Sequence, residues 1–311
     1  MKSKIIRDLL EEKSARLKRE KLRIGILKEK ALENEAFRSL NAQKNILEME
    51  ISLLKFNNKN SEDKEKELDK LNRDIKTQLD KMGIAPSSFE IKYQCAACRD
   101  TGYRENGLCS CITSKLSDLI IKSSGMPENS FSFENSDFSS LPSAEREFME
   151  KLYSRFQKYC ESFPNIKYPN ALLAGFSGTG KTVLTFCITK KLAERKFDVK
   201  YTTAFALNNA FLKYHTDFAK TENLDGYLNP DFLVIDDLGT EPVLKNVTLE
   251  YLYLILNERL TSNKATVITT NLDLNGIINR YGERIYSRIT NKSNTFVCRF
   301  TGADLRKLQL N

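Results

Sequence analysis

Apolar residues in the first 85 positions recur at steps of three and four. Leu68, Leu71, Ile75, Leu79 and Met82 form one such series, and Leu40, Leu47, Ile51 and Leu54 nearly repeat it. That period marks amphipathic helix. The stretch holds no proline and has glycine only at Gly25 and Gly83. Asn57, Asn58, Asn60 and Ser61 interrupt the pattern, and Ser61 is placed to open a second helix. The expected product is a helical hairpin or coiled-coil-like arm over residues 1–88. A solvated spacer is the plainer alternative. A partner-binding arm fits better, because a hairpin buries only part of so long a stripe.

From about residue 146 the pattern changes to strand alternating with helix. NALLAG (170–175), VKYTTA (199–204), DFLVIDDLG (231–239), ATVITTN (265–271) and TFVCRFTG (295–302) read as strands. Residues 183–197, 205–215, 247–261 and 282–290 read as helices. Such alternation predicts an α/β fold with a parallel sheet flanked by helices. Two segments lie between arm and sheet. Residues 89–125 are turn-rich and contain CAACRDTGYRENGLCSC, and residues 126–145, rich in serine, asparagine and proline, read as a linker that packs a few aromatics.

Composition adds limits. The chain has 311 residues, 41% hydrophobic, enough for two or three domains with a real core. A net charge of +8 is compatible with a nucleic-acid partner without demanding one. No apolar run approaches the roughly 20 residues of a membrane span, and MKSKIIRDLLEEKSARLK lacks the apolar core of a signal peptide. A cytoplasmic protein with no membrane partner is expected, so seven cysteines need an explanation other than disulfides.

The densest chemistry is GFSGTGKT, Gly175–Thr182. It satisfies G-x-x-x-x-G-K-[ST] with a strand before it and a helix after it. Gly175, Ser177, Gly178, Thr179 and Gly180 would turn backbone amides toward a triphosphate. Lys181 would reach the β- and γ-phosphates, and Thr182 would take a place on Mg²⁺. A chance glycine-rich turn is the rival reading, weakened by both flanks. The apolar run FLVIDD supplies the acidic half: Asp236 is expected to hold Mg²⁺ through water, in the usual manner of that ion, and Asp237 to orient the attacking water. A simple turn after a strand is the alternative for the pair. Asn271, at the tip of the next strand, is a candidate to position the same water, against a plain strand end. Arg284 and Arg288 lie one helical turn apart. Arg288 first, then Arg284, is the candidate to reach a γ-phosphate held by a neighbouring subunit, against a pair of surface arginines. Arg306 is the candidate phosphate-sensing arginine of the same subunit.

Cys95, Cys98, Cys109 and Cys111 place four thiols within 17 residues of a segment too poor in apolar mass to fold alone. Tetrahedral Zn²⁺ would supply the missing stability in a purely structural site. An iron–sulfur cluster or bare thiols are the alternatives. The only histidine, His215, is distant in sequence and reads as incidental. Cys160, Cys187 and Cys298 read as small core residues.

GFSGTGKT, FLVIDDLGTE, VITTNL and GERIYSRI occur in the order of the DnaC/DnaI family of bacterial replicative helicase loaders, AAA+ ATPases with IstB-like transposition ATPases as cousins. The chain resembles that family well over residues 126–311 and more loosely over 1–125. The resemblance implies four parts: a helical helicase-binding arm (1–88), a Cys₄ zinc module (89–125), a lead-in (126–145) that packs near the adenine, and an AAA+ ATPase domain (146–311). It implies a hexameric replicative DNA helicase as partner, self-association through the AAA+ domains on ATP binding, and single-stranded DNA contact through the helix with Phe205, Phe211, Lys213 and Tyr214. At least one of those phenylalanines should instead be core, since six residues separate them. An IstB-like ATPase serving a transposase is the runner-up. An adaptor with a degenerate site is a third reading, opposed by the intact Lys181, Thr182, Asp236 and Asp237.

Overall fold

The computed structural model describes residues 2–128, 131–218 and 223–302. Arg306 lies outside them. The chain divides into two compact units, Asp8–Ile112 and Met1–Arg7 with Thr113–Asn311.

The first unit is built on three helices: α1 (Lys2–Leu32, which begins in the other unit), α2 (Glu35–Phe56) and α3 (Glu62–Lys81). The expected hairpin is α2 against α3. Leu47 and Ile51 pack on Leu71, with Leu40, Leu68 and Ile75 around them, so the three-and-four spacing is the buried seam. The break between α1 and α2 lies inside a stretch whose apolar spacing reads as unbroken. Asn34 makes it, its side chain accepting from the Phe37 amide at 3.0 Å as an N-cap. A second small cluster of Ala31, Phe37 and Leu79 closes that end. After a 3₁₀ turn at Pro86–Phe89, a two-residue hairpin, β1 (Tyr103–Arg104) with β2 (Gly107–Leu108), stands among the cysteines. Helix α4 (Ser110–Ser124) follows.

The second unit is the expected α/β layer structure. Helix α5 (Ser143–Ser162) leads to β3 (Asn170–Gly175), α6 (Lys181–Glu194), β4 (Val199–Thr203), α7 (Ala204–Thr216), the single turn α8 (Asp225–Leu228), β5 (Phe232–Leu238), α9 (Thr248–Thr261), β6 (Ala265–Thr270), α10 (Leu274–Ile289, interrupted at Gly282) and β7 (Thr295–Phe300). The five strands pair in the order β4-β5-β6-β3-β7, all parallel. Their apolar residues are covered on both faces, one cluster holding Leu173, Leu184 and Val234, the other Leu172, Ile235 and Ile268. Adjacent strand residues thus serve opposite cores, and near-continuous apolar runs result. Leu141, Phe133 and Phe138 of the serine- and asparagine-rich segment join the first cluster. Among the described residues no helix is long and apolar enough to cross a membrane.

Candidate nucleotide-binding site and cysteine cluster

The strand order puts β3 between β6 and β7, so the phosphate-loop strand lies beside the strand that leads into Asn271, and the acidic strand β5 comes next. Ligands of open parallel sheets bind at the carboxyl ends of such strands, and there the phosphate loop, Lys181, Thr182, Asp237 and Asn271 line one cavity. Gly175 leaves β3 at φ +150, and a Cβ there would stand 2.3 Å from the Phe300 carbonyl, so only glycine fits. Gly180 caps α6 at φ +92. The curled loop leaves the amino end of α6, with its positive dipole end, facing a cavity of about 530 Å³. The cavity is lined by Ser177, Gly178, Gly180, Lys181, Thr182, Asp237 and Asn271 together with Phe131, Phe138, Met149, Tyr153 and Val183 and the polar Asn135, Ser136, Asp137 and Ser140. The lining thus joins the phosphate loop and Lys181 to aromatic and apolar side chains, the two kinds of surface that a nucleoside triphosphate uses.

Lys181 is buried, and its ammonium donates to the carbonyls of Gly175 and Phe176 at 2.8 and 2.7 Å and to Asn271 Oδ1 at 2.9 Å. The structure therefore brings Lys181 and Asn271 into contact across two strands. Asp236 is 3% exposed, and three hydroxyls converge on it: Thr182 at 3.1 Å to each oxygen, Tyr201 at 2.6 Å to Oδ2 and Thr269 at 2.6 Å to Oδ1. Burial, and then the Asp236 charge beside it, push the Tyr201 phenol far above its ordinary range, so it stays a donor. Thr182 and Asp236 form a hard oxygen donor pair in contact with each other, which suits Mg²⁺.

Asp237 differs from its neighbour. The pairing of β5 with β6 slips between Ile235 and Leu238, and Asp237 sits in the bulge at φ +57. Such a bulge re-aims a side chain, and Asp237 lines the cavity. Its amide donates to Thr269 Oγ1 at 2.8 Å. The exit from β5 is clamped by buried Glu241, which accepts from the Gly239 amide at 2.9 Å and from the Tyr281 hydroxyl.

The two arginines diverge. Arg284 is exposed. Arg288 is half-buried and held within its own subunit: Nε and a terminal nitrogen donate to Asn257 Oδ1 at 3.1 and 3.0 Å, and the guanidinium lies 4.1 Å from the Tyr253 ring centre. On α7, Phe211 is buried core and Phe205 is 54% exposed, with Lys213 and Tyr214 also exposed. His215 is exposed and meets only Tyr251 at 3.1 Å among the hydrogen bonds described. Cys160, Cys187 and Cys298 are buried, and burial raises each thiol well above its ordinary value.

In the other unit, the sulfurs of Cys95, Cys98, Cys109 and Cys111 lie within 4.8 Å of one another. Cys95 to Cys109 is 3.8 Å and Cys98 to Cys111 is 3.7 Å. Four sulfurs about 2.3 Å from one centre stand about 3.8 Å apart in a tetrahedron, so these two pairs have the spacing of a Zn²⁺ site and the cluster could hold that ion. Behind it, buried Asp100 accepts from the Gln94 and Cys95 amides at 2.7 and 2.9 Å, from Lys13 at 3.2 Å and from Arg16 at 2.8 Å. Burial works against the charged form, but these donors outweigh it and hold the Asp100 carboxyl below its ordinary value. Asp100 thus joins α1 to the loop that carries the first two cysteines.

Sequence reasoning missed Tyr201, Glu241 and Asp100, and saw Thr269 only as a strand end. No local motif marks them. Each has a partner far along the chain, 35, 40, 87 and 33 residues away in turn.

A parallel sheet with the phosphate loop, the acidic bulge and Asn271 at one edge defines a P-loop ATPase of the AAA+ kind. Residues 114–287 match the family of IstB-like ATP binding proteins, and the chain belongs to it. A relative, the phage-like element PBSX protein XkdC of Bacillus subtilis (strain 168), is 26% identical over 231 residues, covering 68% of this chain and 84% of that protein. That share exceeds the stretch from residue 114 to the C-terminus, so the kinship takes in part of the chain ahead of the ATP-binding region. Among solved structures, the DnaI crystal structure aligns at TM-score 0.48 with 23% identity, covering 57% of this chain and 95% of that one. The DnaC helicase loader structure aligns at 0.44 with 22% identity, covering 53% and 98%.

Proposed function

We propose that this chain is an ATP-switched loader of a hexameric replicative DNA helicase. Residues 1–88 are the helicase-binding arm, 89–125 a structural Cys₄ zinc module, 126–145 the lead-in along the adenine end of the cavity, and 146–311 the AAA+ domain. The observation that carries the reading is the pairing, on one chain, of a full phosphate-and-acid site with an arm that keeps an unpaired apolar seam. On α2, Ala42, Ile46, Met49, Leu53 and Phe56 step by four, three, four and three, and all are exposed. That is the spacing by which one helix receives another. A stand-alone nucleotide hydrolase has no use for it.

In this reading the loop from Gly175 to Thr182 wraps the triphosphate, with Lys181 on its β- and γ-phosphates. Thr182 and Asp236 hold Mg²⁺. Asp237 orients the attacking water, helped by Asn271. Arg288, with Arg284 a turn before it, leaves Asn257 and Tyr253 to reach the γ-phosphate of the adjoining subunit. ATP binding thereby drives side-by-side assembly. Arg306 senses the phosphate within the same subunit. Phe205, Lys213 and Tyr214 meet single-stranded DNA by stacking and charge.

The test is a pull-down of full-length chain with the helicase, with and without a non-hydrolysable ATP analogue. Helicase capture is expected in both, with more loader per helicase when the analogue is present. Lys181→Ala should abolish the nucleotide-dependent part and leave capture intact. No capture of helicase under either condition sinks the reading. The second reading, an IstB-like ATPase assisting a transposase, is favoured by the family match itself. Capture of a transposase in place of the helicase decides for it.

A further inference from the structure

We propose that Tyr201 is a positioning residue for the metal-side carboxylate, acting with Thr269 to hold Asp236 from the two strands beside it. The inference rests on the reading of Asp236 as a Mg²⁺ ligand. Strand β5 runs between β4 and β6, and Thr203 of β4 is the register partner of Asp236. Tyr201 stands two residues before Thr203 and so shares its face of the sheet. Its hydroxyl takes Asp236 Oδ2 at 2.6 Å, while Thr269, from β6 on the other side, takes Oδ1 at 2.6 Å. Each carboxylate oxygen therefore accepts one short bond from a different neighbouring strand. Thr182, at the start of α6, comes third and at a longer 3.1 Å. When Thr182 turns to the metal, the two strand hydroxyls remain as the fixed frame of the carboxylate.

A buried tyrosine needs a partner for its hydroxyl, and satisfying that need is the plainer account of the contact. The surroundings of the ring argue for more. Tyr201 is 5% exposed, and its ring packs on Phe186, 5.2 Å between centres, so phenylalanine would serve the packing equally well. Among the described contacts, what the hydroxyl adds is directed at the acid beside Thr182. Outer partners of a ligating carboxylate orient it and tune metal affinity, with losses of 10- to 100-fold on removal as a typical range.

Tyr201→Phe removes one oxygen and keeps the packing. The affinity of the AMPPNP-bound chain for Mn²⁺, followed by electron paramagnetic resonance, should fall about 10-fold. AMPPNP binding in EDTA should match wild type, which also shows that the variant is folded. In ATPase assays the half-saturating Mg²⁺ concentration should rise by a similar factor, with turnover at saturating Mg²⁺ nearly recovered. Thr269→Val should shift Mn²⁺ affinity the same way, and Thr269→Ser, which keeps the hydroxyl, should restore it. Unshifted Mn²⁺ affinity in Tyr201→Phe, with normal wild type, overturns the role of Tyr201 alone. A wild-type chain that holds AMPPNP but no Mn²⁺ overturns the metal reading of Asp236 and this inference together.

Discussion

The two units hold themselves together by different means. The ATPase unit has two extended apolar clusters on either face of one sheet. The arm has two small clusters, each of three buried residues, and beside them a cysteine cluster that could hold a metal ion and a buried, ion-paired carboxylate. Small cores need such staples. The ATPase unit hides its apolar surface, whereas α2 displays a seam of it. One unit is shaped to hold a site rigid, the other to present a surface.

Metal removal should break this contrast most strongly. Structural Zn²⁺ contributes about 10–16 kcal/mol of apparent binding free energy in small zinc domains. Chelation, or Cys98→Ser, should cost the arm its protection against limited proteolysis and amide exchange. Nucleotide binding by the ATPase unit should survive, within a few-fold. Equal loss in both units would mean that the cysteines serve the whole fold.

Next in size is Arg288→Ala. If the side chain acts across subunits, ATPase should fall about 10³-fold while ATP affinity holds, since arginine fingers contribute on that scale. Within one subunit Arg288 donates to Asn257 and stacks on Tyr253, so a structural role predicts a modest loss of stability and normal turnover. Mixing the variant with Lys181→Ala chains should restore part of the activity only in the first case.

The Asp100 network gives a smaller effect with a pH signature. Asp100→Asn should destabilise the arm by about 2 kcal/mol, the scale of hydrogen bonds to a buried charge. The folded carboxyl is held below its ordinary value, so its contribution is present above the ordinary carboxylate range and is lost as pH falls through the folded pKa. The gap between wild type and variant in denaturant unfolding should be full at pH 7 and should close below about pH 4. A gap that persists there assigns the effect to shape and not to charge.

What the sequence made legible follows from distance along the chain. The phosphate loop and the acidic pair are contiguous, so their chemistry and their flanking strand and helix read directly. The alternation of strands and helices likewise carries its own period. Tyr201 reads as one more apolar strand residue, because only the parallel register of β4 with β5 brings it to Asp236. Asp100 reads as a turn residue, although its ion pairs with Lys13 and Arg16 join segments more than 80 residues apart. The break at Asn34 is a different kind of miss. Asn34 followed by Glu35 is a cap signal, but the apolar spacing runs on across it and hides the stop. Arg288 was recognisable as a candidate, while its capture by Asn257 depends on how α10 packs on α9.

The smallest effect on stability tests the largest claim about the arm. Met49 and Phe56 are 66% and 85% exposed, while Leu47 and Ile51 on the same helix are 7% exposed. Replacing an exposed apolar residue moves stability by about 0.5 kcal/mol or less. Met49→Ser with Phe56→Ser should therefore leave the unfolding midpoint and ATP binding nearly unchanged and yet abolish helicase capture. Leu47→Ser is the opposing control, since it strips the α2–α3 seam and should cost about 2–4 kcal/mol. If capture survives the exposed pair at normal stability, the stripe is surplus apolar surface, and the partner must be sought on another face of the arm.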